Sequence, residues 1–454
     1  MKFFGVFQMT IFALSSGKGK AGVGVIRVSG EATKNAISIL TKSEKCPKPR
    51  VASLKWFYDP LTGGRLDHGL VIFFPGPNSF TGEDVAEFHI HGGYAVVSGF
   101  LEALSKIEHL RPAEAGEFTR RAFDNGKMDL TEAEGLADLI NSETEGQRRQ
   151  ALRQMDGNLK KLYEGWRHDL ISAMAYLEAD IDFAEEEIPD DVTERIIPIV
   201  HDLYQDIQKH LDDGHRGERL RHGLQVVILG APNAGKSTLL NYLSRRDVAI
   251  VSDIAGTTRD SLEVHLDISG FPVSIIDTAG IRESEDAIES EGIRRALSKA
   301  EQSDLRIIIL DGANSSYLDH GMADHMGQNT MVMISKKDLG VIIDTEKLPR
   351  NIIGTWHVSV KNGDGISDFM ASFEKEVEAR MQLTDTPSLT RTRHRLHLQN
   401  ALDHMGRFLA ADHFELELLS EDLRMAAREI GKITGYVDVE DILEKIFTEF
   451  CIGK

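Results

Sequence analysis

The run Gly230-Ala-Pro-Asn-Ala-Gly-Lys-Ser237 constrains this chain more than any other feature. It fits the spacing G-x-x-x-x-G-K-[ST], follows the apolar run QVVILG and precedes TLLNYLS, which reads as a helix. Strand, glycine loop and helix in that order make a phosphate cradle. The glycines let backbone N–H groups wrap phosphate oxygens, and the helix N-terminus adds positive potential. Such a loop belongs to a parallel α/β sheet. VSIIDTAG, LRIIILDG and TMVMIS supply further buried-strand candidates between residues 224 and 380.

The chemistry of the cradle extends along the chain. Asn233, Ala234, Gly235, Lys236, Ser237 and Thr238 would surround the phosphates, with Lys236 reaching the β- and γ-phosphates and Ser237 ligating Mg²⁺. In DTAG, Asp277 can reach Mg²⁺ through water and the Gly280 N–H can meet the γ-phosphate, with Thr278 and Ala279 between them. In SKKD, Asp338 would accept hydrogen bonds from guanine and Lys336 would pack on the base. Ser335 stands where asparagine is usual, which loses local hydrogen bonds and puts guanine affinity in question. The loop SVKNGDG sits where a second base-contacting loop belongs, through Ser359, Val360 and Lys361. Ile281 follows DTAG where a water-orienting glutamine usually stands, and Glu283, Glu285 and Glu289 offer substitutes. In SDIAGTTRD, Thr258 suits Mg²⁺ ligation. The carbonyls of that loop, with the Asn233 side chain, could hold a monovalent cation beside the β–γ bridge, unless Asn233 only stabilises its loop.

The rest of the chain frames this unit. Residues 10–126 mix strand-like runs (GVGVIRVSG, HGLVIFFPGP, DVAEFHIHGG) with a helix over 94–107. Leu152, Met155, Leu159, Leu162, Trp166, Leu170, Ala173 and Leu177 recur every three or four residues, as on one long helix. Pro189 breaks the pattern, and Ile199, Leu203, Ile207 and Leu211 resume it. Val439, Ile442, Leu443, Ile446, Phe447 and Phe450 form another stripe near the end. The expected architecture is multidomain. An α+β domain spans 1–126, a helical domain is split between 127–222 and 383–454, and an inserted α/β P-loop domain spans 223–382.

Among 454 residues, 72 acids face 52 bases, a net charge of −20. That excludes a general nucleic-acid coat, because phosphate binding needs a positive field; such contact must use a local patch or a partner. Only two cysteines, Cys46 and Cys451, suggest a reducing compartment, and no apolar run is long enough to span a bilayer. Lys2 before FFGVFQMTIFAL mimics a short signal peptide, but reads better as a strand behind a ragged start, with Met9 an alternative initiator. The expectation is a cytoplasmic protein.

Taken together, GVGVIRVSG, FPGPNSFTGEDVAEFHIHGG, GEFTRRAFDNGKMDLTEAEGLADLI, GAPNAGKST, IAGTTRD, DTAGIRE and the terminal FCIGK resemble one family, the tRNA-modification GTPases called MnmE or TrmE. The resemblance runs from about Thr10 to the end. It implies a folate-binding, homodimerising first domain in which Arg27, Glu87, Lys127 and Lys454 contact 5-formyl- or methylene-tetrahydrofolate. Arg27 and Lys127 suit the glutamate tail, and Glu87 the pterin-type ring. It implies a potassium site at Asn233, Ser252, Ile254 and Thr257, Mg²⁺ ligands Ser237 and Thr258, and Glu289 as the catalytic glutamate. GTP hydrolysis would follow potassium-dependent pairing of the G domains across their nucleotide faces. The partner is the flavoprotein MnmG (GidA), in a heterotetramer or larger complex. Together they place an aminomethyl or carboxymethylaminomethyl group on C5 of wobble uridine 34 of certain tRNAs. Cys451 would bring a thiol to the one-carbon site, whereas Cys46 reads as an inert loop residue. His89 and His91 share a strand face and have no ligand role in the resemblance. The basic clusters Arg391, Arg393, His394, Arg395 and Arg148, Arg149, Arg153 read as solvated helix surfaces or, alternatively, tRNA-phosphate contacts. Two other classes remain open: a GTPase acting as a binding switch, and a folate-dependent transferase with a degenerate G domain.

Overall fold

A computed structural model describes residues 9–182, 192–245, 263–277, 303–314, 326–382, 387–411 and 416–437, and then 443, 446–448, 450, 452 and 453. The chain forms two units. One comprises Met1–Ala137, Lys160–Arg167 and Ile430–Lys454; the other comprises Asp138–Leu159 and His168–Glu429.

The first unit is built on a six-stranded sheet: β1 (Thr10–Leu14), β2 (Ala21–Ser29), β3 (Ser53–Tyr58), β4 (Arg65–Phe74), β5 (Val85–Gly92) and β6 (Leu110–Pro112), in the order β3-β4-β5-β2-β1-β6. Side chains alternate between its faces. Ile26, Val28, Phe57 and Phe88 point to the face covered by α1 (Thr33–Thr41) and α2 (Tyr94–Ser105), where Phe57, Phe88 and Phe100 meet at 5.3–5.6 Å between ring centroids. Arg27, between Ile26 and Val28, therefore points the other way and faces Glu87 across β5. On that face Ile11 and Ala13 pack with Phe118 of α3 (Glu117–Asp124). The expected strands are present, the expected 94–107 helix spans Tyr94–Ser105, and β1 begins at Thr10; residues 1–8 lie outside the described residues.

The end of the chain belongs to this unit. Leu443, Ile446, Phe447 and Phe450 pack on Leu130, Ala133 and Ala137 of α4 (Leu130–Ile140); Val439 and Ile442 of the expected stripe lie outside the described residues. Beyond them, Ile452 bridges Ala115, and the Ser15 hydroxyl donates to the Gly453 carbonyl at 2.9 Å. Gly453 has φ +101°, and a Cβ there would sit 2.2 Å from the Leu14 carbonyl oxygen. Only glycine fits.

The second unit holds helices from both sides of the α/β segment. They include α5 (Glu145–Met155), most of α6 (Asn158–Asp182), α7 (Val192–Leu211) and α8 (Arg216–His222), then α11 (Thr392–Ala410) and most of α12 (Leu416–Thr434). α7 and α11 pack together although the whole α/β segment separates them in sequence. The long stripe from Leu152 to Leu177 is not one helix: α5 ends at Met155 and α6 starts at Asn158, with Gly157 at φ +74° between them. The break preserves the apolar phase, so spacing alone did not reveal it. Leu152 is exposed, whereas Tyr163, outside the expected stripe, is fully buried. In α7 the buried positions are Ile196, Val200, Leu203 and Ile207, and Ile199 is exposed. Pro189 lies outside the described residues.

The α/β sheet comprises β7 (Leu224–Gly230), β8 (Glu263–Ile268), β9 (Phe271–Asp277), β10 (Leu305–Asp311), β11 (Thr330–Ser335) and β12 (Gly354–His357), in the order β12-β11-β10-β7-β9-β8. All neighbours are parallel except β8 and β9. Val226, Ile228, Ile307 and Ile309 fill one face with Phe369, Phe373 and Val377 of α10 (Ile366–Met381); Val227, Leu229, Ile308 and Leu310 fill the other. Burial on both faces explains why these strands are unbroken apolar runs.

α8 fastens this sheet to the helices. Arg219 donates to Asp304 at 2.6 Å, Arg221 to Asp138 at 3.1 Å, and Arg391 to the same Asp138 at 2.9 Å. Arg395 binds Asp213 at 2.9 Å, and His394 is fully buried. Arg391 and Arg395 thus face half-buried acids and His394 is buried, so these three do not form the solvated helix start that their clustering suggests. Arg148 and Arg149 pair with Glu145 at the surface. Thr144 and Gln147 form a capping box at the start of α5, where the Gly146 N–H donates to Gly270 O in the β8–β9 turn at 2.8 Å. Among the described residues no helix is long and apolar enough to cross a membrane.

Candidate functional site

The loop between β7 and α9 (Lys236–Leu243) lies at the carboxyl end of the central strand, where the chain order of the sheet reverses. Ligands of open α/β sheets collect there. Gly230 has φ +155°, and a Cβ on it would sit 2.5 Å from the Ile309 carbonyl oxygen of β10, so glycine lets β7 and β10 close. Asn233 turns the loop at φ +62° and Gly235 at φ +112°. The left-handed turn by itself accounts for an asparagine at 233.

Lys236 is buried, with its ammonium on the carbonyls of Gly230 and Ala231 at 2.5 and 2.9 Å. The charge therefore points into the loop. Leu239 N–H is bonded to Gly235 O at 3.0 Å, and the N–H groups ahead of it open the helix without intrahelical acceptors. Ala234 is buried beneath the loop, whereas Asn233, Ser237 and Thr238 are exposed around its mouth.

The two base-loop candidates come together. Lys337 N–H donates to Val358 O at 3.3 Å, and Val358 N–H to Ile334 O at 2.8 Å. Ser359 is buried and closes its loop by bridging Asp364; Val360 is half-buried and Lys361 exposed. Asp338 is exposed on the turn after Lys336. Lys336 is held by Asp311 at 2.6 Å. Ser335 does not simply lose the bonds of an asparagine: its hydroxyl reaches Ala234 O at 2.6 Å and Leu310 O at 3.1 Å.

The second candidate site lies on the first unit's sheet. Arg27 donates to Glu87 Oε1 through Nε at 3.2 Å and Nη2 at 3.0 Å, and lies 5.3 and 5.7 Å from the ring centroids of Phe80 and Phe118. The two charges assigned to different parts of a ligand thus neutralise each other. Lys127 is exposed and donates to Pro77 O at 3.1 Å, with no carboxylate in ion-pair range among the described residues. Arg121 is buried and binds Glu83, Glu117 and the Met9 carbonyl, while Ser29 also donates to Glu83. Phe80, Phe118, Glu83 and Arg121 were missed in the sequence, although all lie inside the segments that carry the resemblance. His91 pairs with Asp67, His89 approaches Glu87 at 3.5 Å, and Cys46 is exposed.

Below this sheet Asp129 caps α4 reciprocally with Glu132: each backbone N–H donates to the other's carboxylate, at 2.7 and 2.8 Å. Burial pushes its carboxyl up to about 6 despite those bonds. Its Oδ2 is buried without a hydrogen-bond partner.

Of the expected site residues, Ser252, Ile254, Thr257, Thr258, Thr278, Ala279, Gly280, Glu289, Cys451 and Lys454 lie outside the described residues, as does the side chain of Asp277, which ends β9.

A phosphate loop at the switch point, with an aspartate-bearing base loop beside it, defines a P-loop GTPase. The model for the MnmE helical domain matches residues 130–451, and that for the GTP-binding protein TrmE N-terminus matches residues 10–127. The tRNA modification GTPase MnmE of Parvibaculum lavamentivorans is 51% identical, over 98% of this chain and 100% of its own. The mitochondrial 5-taurinomethyluridine-[tRNA] synthase subunit GTPB3 of Homo sapiens is 46% identical, over 98% of this chain and 93% of its own. The solved G domain of the T. maritima FeoB iron transporter, 21% identical, aligns over 35% of this chain and 99% of its own with a TM-score of 0.27. The chain belongs to the MnmE family of tRNA modification GTPases. It is a GTP-hydrolysing enzyme of tRNA modification.

Proposed function

We propose that this GTPase works with the flavoprotein MnmG, as a homodimer in a heterotetrameric or larger cytoplasmic complex, to modify C5 of wobble uridine 34. The group added is aminomethyl or carboxymethylaminomethyl, and tetrahydrofolate, as its 5-formyl or methylene form, would supply the one-carbon unit. One observation supports this reading most: Gly453 is seated at Leu14 and Ser15, one residue past the Ala13 that faces Arg27 on the sheet that carries Glu87, and Ile452 bridges Ala115 just beyond β6. The flanks of Cys451 and Lys454 thus lie on the same unit as the candidate folate residues. The domain division is proposed as 1–126, 127–222, 223–382 and 383–454.

The residues present fit these groups. Lys127 offers an exposed cation to a glutamate tail, while Glu87, oriented by Arg27, offers a carboxylate to the N–H groups of a pterin-type ring. Phe80 and Phe118 supply apolar surface beside them. At the nucleotide, the loop from Asn233 to Thr238 holds phosphates through backbone N–H groups. Lys236 turns from the Gly230 and Ala231 carbonyls to the phosphates. Ser237 with Thr258 would hold Mg²⁺, and Asp277 through Gly280 would flank the γ-phosphate. Asn233, Ser252, Ile254 and Thr257 would hold K⁺, which adds positive charge at the β–γ bridge. Lys336, Asp338, Ser359, Val360 and Lys361 read guanine. Glu289 positions the attacking water, and Cys451 places a thiol at the one-carbon site.

Mass spectrometry of wobble uridines tests the assignment. Deletion is expected to erase the C5 side chains, and Cys451→Ser to do the same while GTP hydrolysis persists. Full C5 modification in the deletion strain overturns the reading. Hydrolysis that runs equally in KCl and NaCl removes the potassium site alone.

A further inference from the structure

Arg50 stands where glycine would be at ease. The chain turns tightly there, with the Val51 N–H on the Lys48 carbonyl at 3.1 Å, and Arg50 takes φ +58°. A residue with a Cβ is uncommon in that region and strained by it. The turn is nonetheless held firmly: Pro47 just before it is buried, and the Arg50 N–H donates to Phe73 O of β4 at 2.8 Å. Strain kept at a fixed position directs attention to what the side chain does.

That side chain reaches the loop between β4 and β5. Its guanidinium donates to Asn78 O, and the Lys127 ammonium donates to the neighbouring Pro77 O at 3.1 Å. Two cations are thus anchored on consecutive carbonyls of one loop. A carbonyl orients a cation without cancelling its charge. Both side chains belong to exposed residues, and neither has a carboxylate in ion-pair range among the described residues. Lys48, on the same turn, is exposed and equally without a carboxylate partner among them. By contrast, Arg111, Arg121 and Arg219 are each matched to an acid. Two residues beyond Asn78, the Phe80 ring lies 5.3 Å from Arg27. One loop therefore connects the two cations with the Arg27–Glu87 pair.

We propose that Arg50 and Lys127 form an anion subsite for the γ-linked glutamate tail of a polyglutamylated folate, with Lys48 adding charge on the same turn. Each glutamate added to such a tail brings one more carboxylate. Lys127 takes the first, and Arg50 takes those beyond it. The subsite selects tail length and leaves the one-carbon chemistry alone. It deepens the folate reading and rests on it. Because the cations are exposed, added salt screens the attraction.

The test is titration of the full chain with 5-formyltetrahydrofolate as its monoglutamate and as its triglutamate. The parent is expected to bind the triglutamate roughly 3- to 10-fold more tightly, with the gap narrowing as salt rises. Arg50→Gly suits the turn, so it removes the side chain without disturbing the backbone. It is expected to cut the preference to less than about twofold by weakening the triglutamate. Arg50→Lys keeps the charge and is expected to retain a preference above about twofold, whereas Arg50→Glu is expected to reverse it. Equal affinity of the parent for both folates overturns the subsite, as does a preference that Arg50→Gly leaves intact. The monoglutamate separates this from failure of the folate reading. If the parent binds it, the folate site stands whatever the tail does; if the parent binds neither folate, both readings fall.

Discussion

The nucleotide loop and the sheet of the first unit prepare for charged ligands in different ways. At residues 230–238 one buried lysine rests on two loop carbonyls, and the remaining donors are backbone N–H groups at a helix start. On the sheet, Arg27 is already paired with Glu87, and exposed Lys127 is left to meet an anion. The first arrangement holds positive potential in place, because Gly235 precedes α9 and no side chain caps the helix's first N–H groups. The second sets a shape: the ion pair fixes both side chains, and a ligand must exchange contacts with them rather than answer a net charge.

The largest effect that would break this contrast is at Lys236. Lys236→Ala is expected to weaken GTP binding by about 100- to 1,000-fold, some 3–4 kcal/mol, measured by titration. Retention of affinity would mean that the backbone alone carries the site. The next concerns charge inside the first unit. Asp129 holds its proton more tightly when folded, at about 6 against about 4 for a free aspartate. Its contribution to stability is therefore complete below the unfolded value and is lost as pH rises through about 6. Asp129→Asn keeps the helix cap and removes the titration. It is expected to stabilise the unit by about 2 kcal/mol at pH 7.5 and by little at pH 3.5, read from denaturant melts.

Glu87→Ala sharpens the comparison on the sheet. It strands a half-buried guanidinium, so a cost of about 1–2 kcal/mol is expected, with Arg27→Ala in the same chain recovering part of it. A cost for the double variant equal to the sum of the singles would show that the two charges act independently. The smallest effect is at the α5 cap: Thr144→Ala is expected to cost about 1 kcal/mol in the second unit, measured by thermal unfolding.

The same two regions were unequally legible in the sequence. The phosphate loop is eight consecutive residues between an apolar strand and a helix, so local spacing was enough to find it. Arg27 and Glu87 stand 60 positions apart and became partners only through the register of β2 with β5. The rings beside Arg27, Phe80 and Phe118, have no spacing signal. Long range also hid the role of Arg391, whose acid is 253 positions away, and of Arg395, 182 from Asp213. The break at Gly157 escaped for a different reason. Met155 and Leu159 keep helical spacing across it, so periodicity continued where the backbone did not.

The seating of Gly453 against Leu14 and Ser15 joins positions 438 apart. During synthesis the amino-terminal sheet leaves the ribosome first and waits for its final piece until the intervening GTPase module has emerged. Assembly of that platform is thus a late event, gated by translation of residues 452 and 453.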